Sequence, residues 1–338
     1  MENIFGYTQA QCTALMKAIG EPAYRGKQLF SWLYDKKAEN FDACTNLSAS
    51  LRTKLKEAYT IDHGRIVQCQ QDYQDGTRKY LIEFSDGNCV ETVLMQYHHG
   101  YSLCVSSQVG CNMGCAFCAS TLGGKVRNLT AGEILDQLYL VERDQDIRIA
   151  SVVIMGIGEP LDNFDNVVGF IELANTGWGL GARHITLSTC GLVPEIEKLA
   201  KLGLQINLAI SLHAPVQARR EVLMPIARRY NIKELLKTCN NYFHTTGRRI
   251  TFEYALIEGF NDRLEDVESL TALLKGTGSH VNLIALNPVT ESSYKASQNV
   301  KFFHSELKKR GINCTIRRKI GENIDAACGQ LRRRAEKI

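Results

Sequence analysis

The amino-acid sequence predicts an α/β protein: a partial (β/α)6 barrel preceded by an N-terminal helical accessory domain and a small antiparallel β meander. Three observations carry this. Six apolar, strand-like runs, at 103–106, 150–155, 184–189, 206–212, 250–256 and 281–286, alternate with helical patterns such as "AGEILDQLYLVERD", "VPEIEKLAKL" and "IKELLKTCNNYF". Strands and helices alternating in this way form a parallel sheet, and six units leave the ring two short of a full eight-fold barrel. Upstream, three β-like runs at 64–70, 78–84 and 89–95 are separated by Asp75-Gly76 and Asp86-Gly87, dipeptides that favour hairpin turns. The first sixty residues are helical in pattern: "YTQAQCTALMKAIG" places apolar residues at helical spacing and stops at Gly20, and "RGKQLFSWLYDKK" repeats it.

The chain accordingly divides into a helical accessory domain at 1–60, a meander linker at 61–100, the partial barrel at 101–300 and a basic C-terminal segment at 301–338. A seventh strand-like run at 313–317 leads into that segment. In the helical module, Arg25 and Lys27 stand among aromatics that could touch RNA, while Phe30, Trp32 and Leu33 are assigned to the core.

Of the 338 residues 44% are hydrophobic and 22% charged, as in a soluble globular protein. No apolar run is long enough to span a membrane and no secretory leader is legible, so a cytoplasmic protein is expected. Twelve cysteines at irregular spacing then read as reduced thiols rather than a disulfide framework. The net charge of +4 is uneven: residues 301–338 carry eleven Lys and Arg against four Asp and Glu, so the rest of the chain is net negative. Arg317, Arg318 and Lys319, then Arg332, Arg333 and Arg334, and separately Arg219, Arg220, Arg228 and Arg229, form clusters that suit a phosphate backbone or a solvated surface. With neither a coiled-coil pattern nor an exposed apolar stripe, a monomer is expected.

Cys111, Cys115 and Cys118 form C-x3-C-x2-C in the stretch "CVSSQVGCNMGCAFC", where Gly110 and Gly114 let the backbone fold tightly around a bound centre. A tetrahedral zinc site wants four ligands, commonly two separated pairs, and no partner pair is legible. Three cysteines suit a [4Fe–4S] cluster with one iron left open to a small molecule.

"CNMGCAFC" resembles the signature of the radical S-adenosylmethionine superfamily, whose open iron chelates S-adenosylmethionine. Further matches follow strand order. Gly158-Glu159-Pro160 resembles the motif that receives the methionine amino group. Ser188, Ser211-Leu212-His213 and Asn287 resemble the remaining S-adenosylmethionine contacts. By itself each is a common cap or turn residue.

"IDAACGQL" around Cys328, with "CVSSQVGC", "MGIGEPLDN", "LSTCG", "SLHAP" and "LNPV", closely resembles the RlmN/Cfr family of radical S-adenosylmethionine RNA adenine methyltransferases, over nearly the whole chain. The resemblance implies two S-adenosylmethionine molecules per turnover. One methylates the mobile cysteine, matching Cys328, by polar displacement. The other is cleaved reductively at the cluster to methionine and a 5′-deoxyadenosyl radical, which takes hydrogen from the S-methyl group. The resulting thiomethylene radical adds to the adenine carbon and links protein to RNA. The cysteine matching Cys104 then attacks the Cys328 sulfur, forming a disulfide and releasing the base. Glu91 in "CVETVLM" matches the proton acceptor, although in an alternating strand a glutamate also suits the wet face. Cys12, Cys44, Cys69, Cys89, Cys190, Cys239 and Cys314 are expected to be small buried hydrophobes.

Pro160 in "GEPLDN" looks like the adenine-C2 type, whose substrates are an adenosine in the peptidyl-transferase centre of 23S rRNA and the adenosine beside the anticodon of certain tRNAs. The alternative C8 type tends to have alanine there. An electron donor such as flavodoxin is implied. Two rivals are weighed against this. A methylthiotransferase-like enzyme would carry a second cysteine triplet, and none is legible. A zinc-stabilised RNA-binding protein would explain the cysteines and basic tail, but not Gly158-Glu159 or the six β/α units.

Overall fold

A computed structural model describes residues 1–287, 289, 291–327 and 329–331. Its centre is one ten-stranded sheet. The strands are β1 (Arg65–Gln71), β2 (Arg78–Glu83), β3 (Cys89–Tyr97), β4 (Gly100–Val105), β5 (Ile149–Ile154), β6 (Ile185–Thr189), β7 (Asn207–Ser211), β8 (Ile250–Leu256), β9 (His280–Ala285) and β10 (Cys314–Ile316). Spatial order follows chain order from β1 to β10, and the two edges do not pair, so the barrel is open.

β4 to β10 are mutually parallel. Six crossovers join them, through the helices α4 (Ala131–Gln145), α5 (Phe164–Thr176), α6 (Val193–Lys201), the pair α7 (Gln217–Leu223) and α8 (Ile232–Thr246), α9 (Leu264–Leu274) and α10 (Val300–Lys309). The predicted six β/α units are therefore present, and the run at 313–317 supplies the seventh parallel strand. Their starts are specified locally. Thr130 and Glu133 close a capping box at α4, and Asn231 caps α8.

The meander is not a separate linker. β1 to β4 pair antiparallel in sequence, and β4 is at once the last strand of the meander and the first of the parallel set. Residue 97 turns back to residue 100 through His98 and His99, with Gly100 at φ +119°. "HHG" carries none of the usual turn dipeptides, so the sequence hides this hairpin.

The helical module comprises α1 (Gln9–Ala18), α2 (Tyr24–Tyr34) and α3 (Ala49–Ala58). It docks on α4. A Cβ on Gly132 would lie 2.2 Å from the Phe5 carbonyl oxygen, and one on Gly6 would lie 2.8 Å from Gly132 Cα, so two glycines permit the contact. Lys37 reaches Glu142 at 2.6 Å and lies 4.3 Å from the centroid of Trp178. One apolar core runs unbroken from Ile4 through the sheet to Leu331.

Several expectations need correction. Phe30 and Leu33 are buried, but Trp32 is half-buried, its indole N–H bonded to Asn46 and Lys36 poised 4.0 Å from its ring centroid. Cys69 is exposed and Cys89 half-buried, Cys69 lying on the edge strand β1 and Cys89 being the first residue of β3; the other cysteines assigned to the core are buried. Arg220 is fully buried and Arg219 is paired with Asp266, which leaves Arg228 and Arg229 as the exposed cations of that group. Arg332, Arg333 and Arg334 lie outside the described residues.

Candidate active site

The carboxyl ends of the parallel strands surround a cavity of about 160 Å³. Cys111, Cys115, Cys118, Gly158, Glu159, Pro160, Ser188, Ser211, His213 and Asn287 all line it. The carboxyl ends of parallel strands are where open α/β sheets receive ligands, and this rim is polar. Sequence positions spread over 177 residues thus converge on one place.

The cysteine loop follows β4. A two-strand pairing of Gln108–Val109 with Arg127–Asn128 closes its base, and Gly110 is at φ +79°, where a Cβ would lie 1.9 Å from the Gly124 oxygen. Its far side rests on α7, since the Ala116 N–H donates to the Leu223 carbonyl at 2.9 Å. Burial pushes the Cys111 thiol up to about 12 and the Cys115 thiol well above its ordinary range, and the neighbouring thiolates raise both further. Three neighbouring thiols, one buried and two half-buried, are a ligand set whose deprotonation a multiply charged iron core would drive. Among the described residues no three His, Cys, Asp or Glu side chains close on a single ion, as a mononuclear zinc site requires. A cubane asks less, because each thiolate takes its own iron.

Gly158, at φ +109°, brings its backbone against Ser107 and Gln108, where a Cβ would meet the Gln108 side chain at 2.7 Å. The Glu159 carboxylate is buried and accepts N–H bonds from Leu161 at 3.0 Å and Cys190 at 2.8 Å. Burial raises its pKa against the pull of those bonds. The bond from Cys190 ties the end of β5 to the end of β6, while the bond from Leu161 caps the turn that follows β5, and the carboxylate oxygens keep further lone pairs. His213, at φ +55°, accepts from the Ala255 N–H at 3.0 Å, and burial, with Arg220 second, lowers its pKa to about 3. It is a neutral imidazole edge-on to Phe117. Leu212 corrects the expectation: it is fully buried in the main core and its N–H bonds to the Glu253 carbonyl, so it holds the strand end without facing the cavity.

Cys104 lies elsewhere. It lines a second cavity with Val93, Met95, Ala326 and Ala327, and the two cavities share Met155, Ile284, Asn287 and Arg317 as a common wall. Glu91 lines neither. It is buried on β3 with Lys79 Nζ 3.4 Å away, on the same strand face as Val93 and Met95. It is not on a wet face. Cys328 lies outside the described residues, but its neighbours are informative: Ala327 borders the cavity of Cys104, and Gly329 borders the cavity of the three cysteines. This segment is tied down at both ends. Asn323 donates to Asp72 at 3.1 Å, the Gly321 N–H to Asp75 at 2.8 Å, the Ala119 N–H to the Gly329 carbonyl at 2.8 Å and Ser120 Oγ to the Leu331 carbonyl at 2.7 Å.

Sequence reading missed three site residues. Glu253 lines the cavity, its carboxylate raised by burial and bonded by the Asn282 amide, with Arg317 3.9 Å away. A glutamate within the apolar run "ITFEYAL" is the signal that could have found it. Arg317 was grouped with surface cations but forms cavity wall, its Nη1 3.5 Å from the Met155 sulfur. Arg220 stands behind the wall.

The open α/β sheet, with three cysteines at the mouth of its first parallel strand and a polar rim opposite, defines a radical S-adenosylmethionine enzyme, and residues 105–273 match the family model of the radical SAM superfamily. Residues 2–61 match the ribosomal RNA large subunit methyltransferase N-terminal domain. The chain is 50% identical over 336 residues to a probable dual-specificity RNA methyltransferase RlmN of Lachnospira eligens, covering 98% of this chain and 96% of that one. It is 50% identical over 337 residues to another so described from Clostridium perfringens, covering 98% and 97%. A radical SAM methyltransferase structure from Sphaerobacter thermophilus superposes with a TM-score of 0.92 at 40% identity, over 98% of this chain and 99% of that one. The chain belongs to the RlmN family. Members of the radical SAM superfamily use a [4Fe–4S] cluster and S-adenosylmethionine, and the residues lining the cavity fit both. No described helix is long and apolar enough to cross a membrane.

Proposed function

We propose that the protein methylates carbon 2 of adenine in 23S rRNA and in tRNA, with Cys328 as the methyl carrier. Cys111, Cys115 and Cys118 hold the cluster, and Ser188, Ser211, His213, Asn287 and Glu159 border the S-adenosylmethionine site. Once bound, cluster and S-adenosylmethionine supply a methyl group and the one-electron chemistry that activates it, with an external reductant such as flavodoxin.

The observation that carries this reading is the position of the chain on either side of residue 328. Ala327 borders the cavity of Cys104 and Gly329 that of the three cysteines. A residue between them is within one peptide unit of both. Cys328 joins Ala327 to Gly329 in sequence, and a methyl carrier has to engage both the methyl donor and the resolving thiol. Cys104, 7% exposed, is kept from bulk oxidants until the carrier reaches it. Glu91, on the same β3 face as the second cavity's wall, is the group assigned to take the proton from the adduct. Lys79 beside it also donates to the Asp325 carbonyl at 3.3 Å, which couples that carboxylate to the carrier segment.

The experiment is mass spectrometry of the tryptic peptide containing Cys328, from protein purified without oxygen, intact and as Cys118→Ala, together with nucleoside analysis of 23S rRNA and tRNA after incubation. A methyl on Cys328 that Cys118→Ala loses, with 2-methyladenosine formed by intact protein alone, is the expected result. Unmethylated Cys328 in fully loaded protein would remove the carrier role, and 8-methyladenosine would reassign the carbon.

A further inference from the structure

Arg220 is 0% exposed, an unusual state for a guanidinium. Its Nη2 donates to the Cys190 carbonyl at 2.7 Å and to the Ser211 carbonyl at 3.2 Å. Its Nε and Nη1 are buried with no hydrogen-bond partner. Neighbouring Arg219 finds Asp266, whereas the ionisable groups acting on Arg220 are thiols: Cys190, then Cys115 and Cys239. A buried cation without an anion costs free energy that only an incoming negative charge recovers.

The position says where that charge would sit. Cys190 and Ser211, whose carbonyls hold the guanidinium, both line the cavity of the three cysteines. The same helix receives the cysteine loop through the bond from Ala116 to Leu223. Gly191, at φ +103°, follows Cys190 directly and packs against both Leu235 and the guanidinium, a Cβ there lying 3.0 Å from Leu235 and in ordinary contact, 3.4 Å, with Nη2. Three thiolates carry more negative charge than the oxidised core of a [4Fe–4S] cluster carries positive, and one-electron reduction enlarges the excess. Net charge and hydrogen bonding around the sulfurs set the potential of such a cluster.

We propose that Arg220 is a positioning residue for the iron–sulfur centre, its buried cation stabilising the reduced cluster and so raising the reduction potential. The inference rests on Cys111, Cys115 and Cys118 being the ligands. Its test is a redox titration followed by electron paramagnetic resonance, on anaerobically loaded protein, for wild type, Arg220→Gln and Arg220→Lys, each with iron and sulfide counted. Glutamine keeps a donor for the carbonyls without the charge; lysine keeps the charge without the fork.

Arg220→Gln should lower the reduced-to-oxidised ratio at a fixed potential at least tenfold, a midpoint about 59 mV more negative for a one-electron couple. Arg220→Lys should stay near wild type. An unchanged midpoint in the glutamine variant overturns the proposal, as does an equal shift in both variants, because shape rather than charge would then be responsible. Loss of fold in the glutamine variant, whether or not the lysine variant folds, would make the buried charge a structural requirement and overturn the proposal. Wild type that takes up no cluster would instead refute the ligand assignment.

Discussion

Lys79 Nζ stands 3.4 Å from a carboxylate oxygen of Glu91, and the two side chains, on adjacent antiparallel strands, are 5% and 2% exposed. Breaking a buried pair from one side costs more stability than removing both charges together. Lys79→Met should therefore cost about 3 kcal/mol of stability by denaturant unfolding, and the added change Glu91→Gln should recover most of it. Equal stability of Lys79→Met and wild type would mean that the pair is not coupled.

Gly110 tests the cysteine loop. An alanine there would adopt a left-handed φ and drive its Cβ to within 1.9 Å of the Gly124 oxygen, at a strain of about 1–3 kcal/mol. The loop base must shift, so Gly110→Ala should keep the far-ultraviolet spectrum of wild type while binding several-fold less iron. Undiminished iron would show that the loop tolerates a displaced base.

His213 gives a pH signature. Its pKa falls from 6.5 in the unfolded chain to about 3 in the fold, through burial and then Arg220. Between those values the unfolded state binds the extra proton, so stability contributed by the neutral imidazole is present above pH 6.5 and declines as the pH falls toward 3. From pH 7 to pH 5 this group should account for about 2 kcal/mol of lost stability. His213→Asn, which tolerates the left-handed backbone, should show an acid loss smaller by that amount in cluster-free protein. Parallel pH profiles for the two proteins would contradict the assignment.

Cys104→Ala tests the division of labour between the two cavities. Without the thiol that resolves the proposed adduct, protein incubated with RNA, S-adenosylmethionine and reductant should accumulate a covalent protein–RNA species on a denaturing gel, removed by nuclease. Turnover at the wild-type rate, with no such species, would take Cys104 out of the reaction.

The parallel half of the sheet was legible because strands covered on both faces read as continuous apolar runs, and "ASVVI" or "LAISL" has no other economical meaning. The cysteine triad was legible because its spacing is local. The hairpin joining β3 to β4 was not, since "HHG" lacks a turn signature, and the meander therefore looked separate from the barrel it completes. Arg220 and Arg317 were read as surface cations because a run of basic residues is usually solvated. Which turn of a short helix faces inward depends on what packs against it, and here Arg220 turns onto the Cys190 and Ser211 carbonyls of the assembled cavity wall.

The sequence by itself determined the alternation of strands and helices, the three-cysteine loop and the glycines that let it close, because each depends on contacts within a few residues. Only the tertiary structure decided that Leu212 turns into the core, that Glu91 is buried against Lys79, that an arginine stands unpaired behind the cysteines, and that residues 327 and 329 border different cavities. Those relationships join positions far apart in the chain. Burial and electrostatic pairing are properties of the packed whole, and no local pattern specifies them.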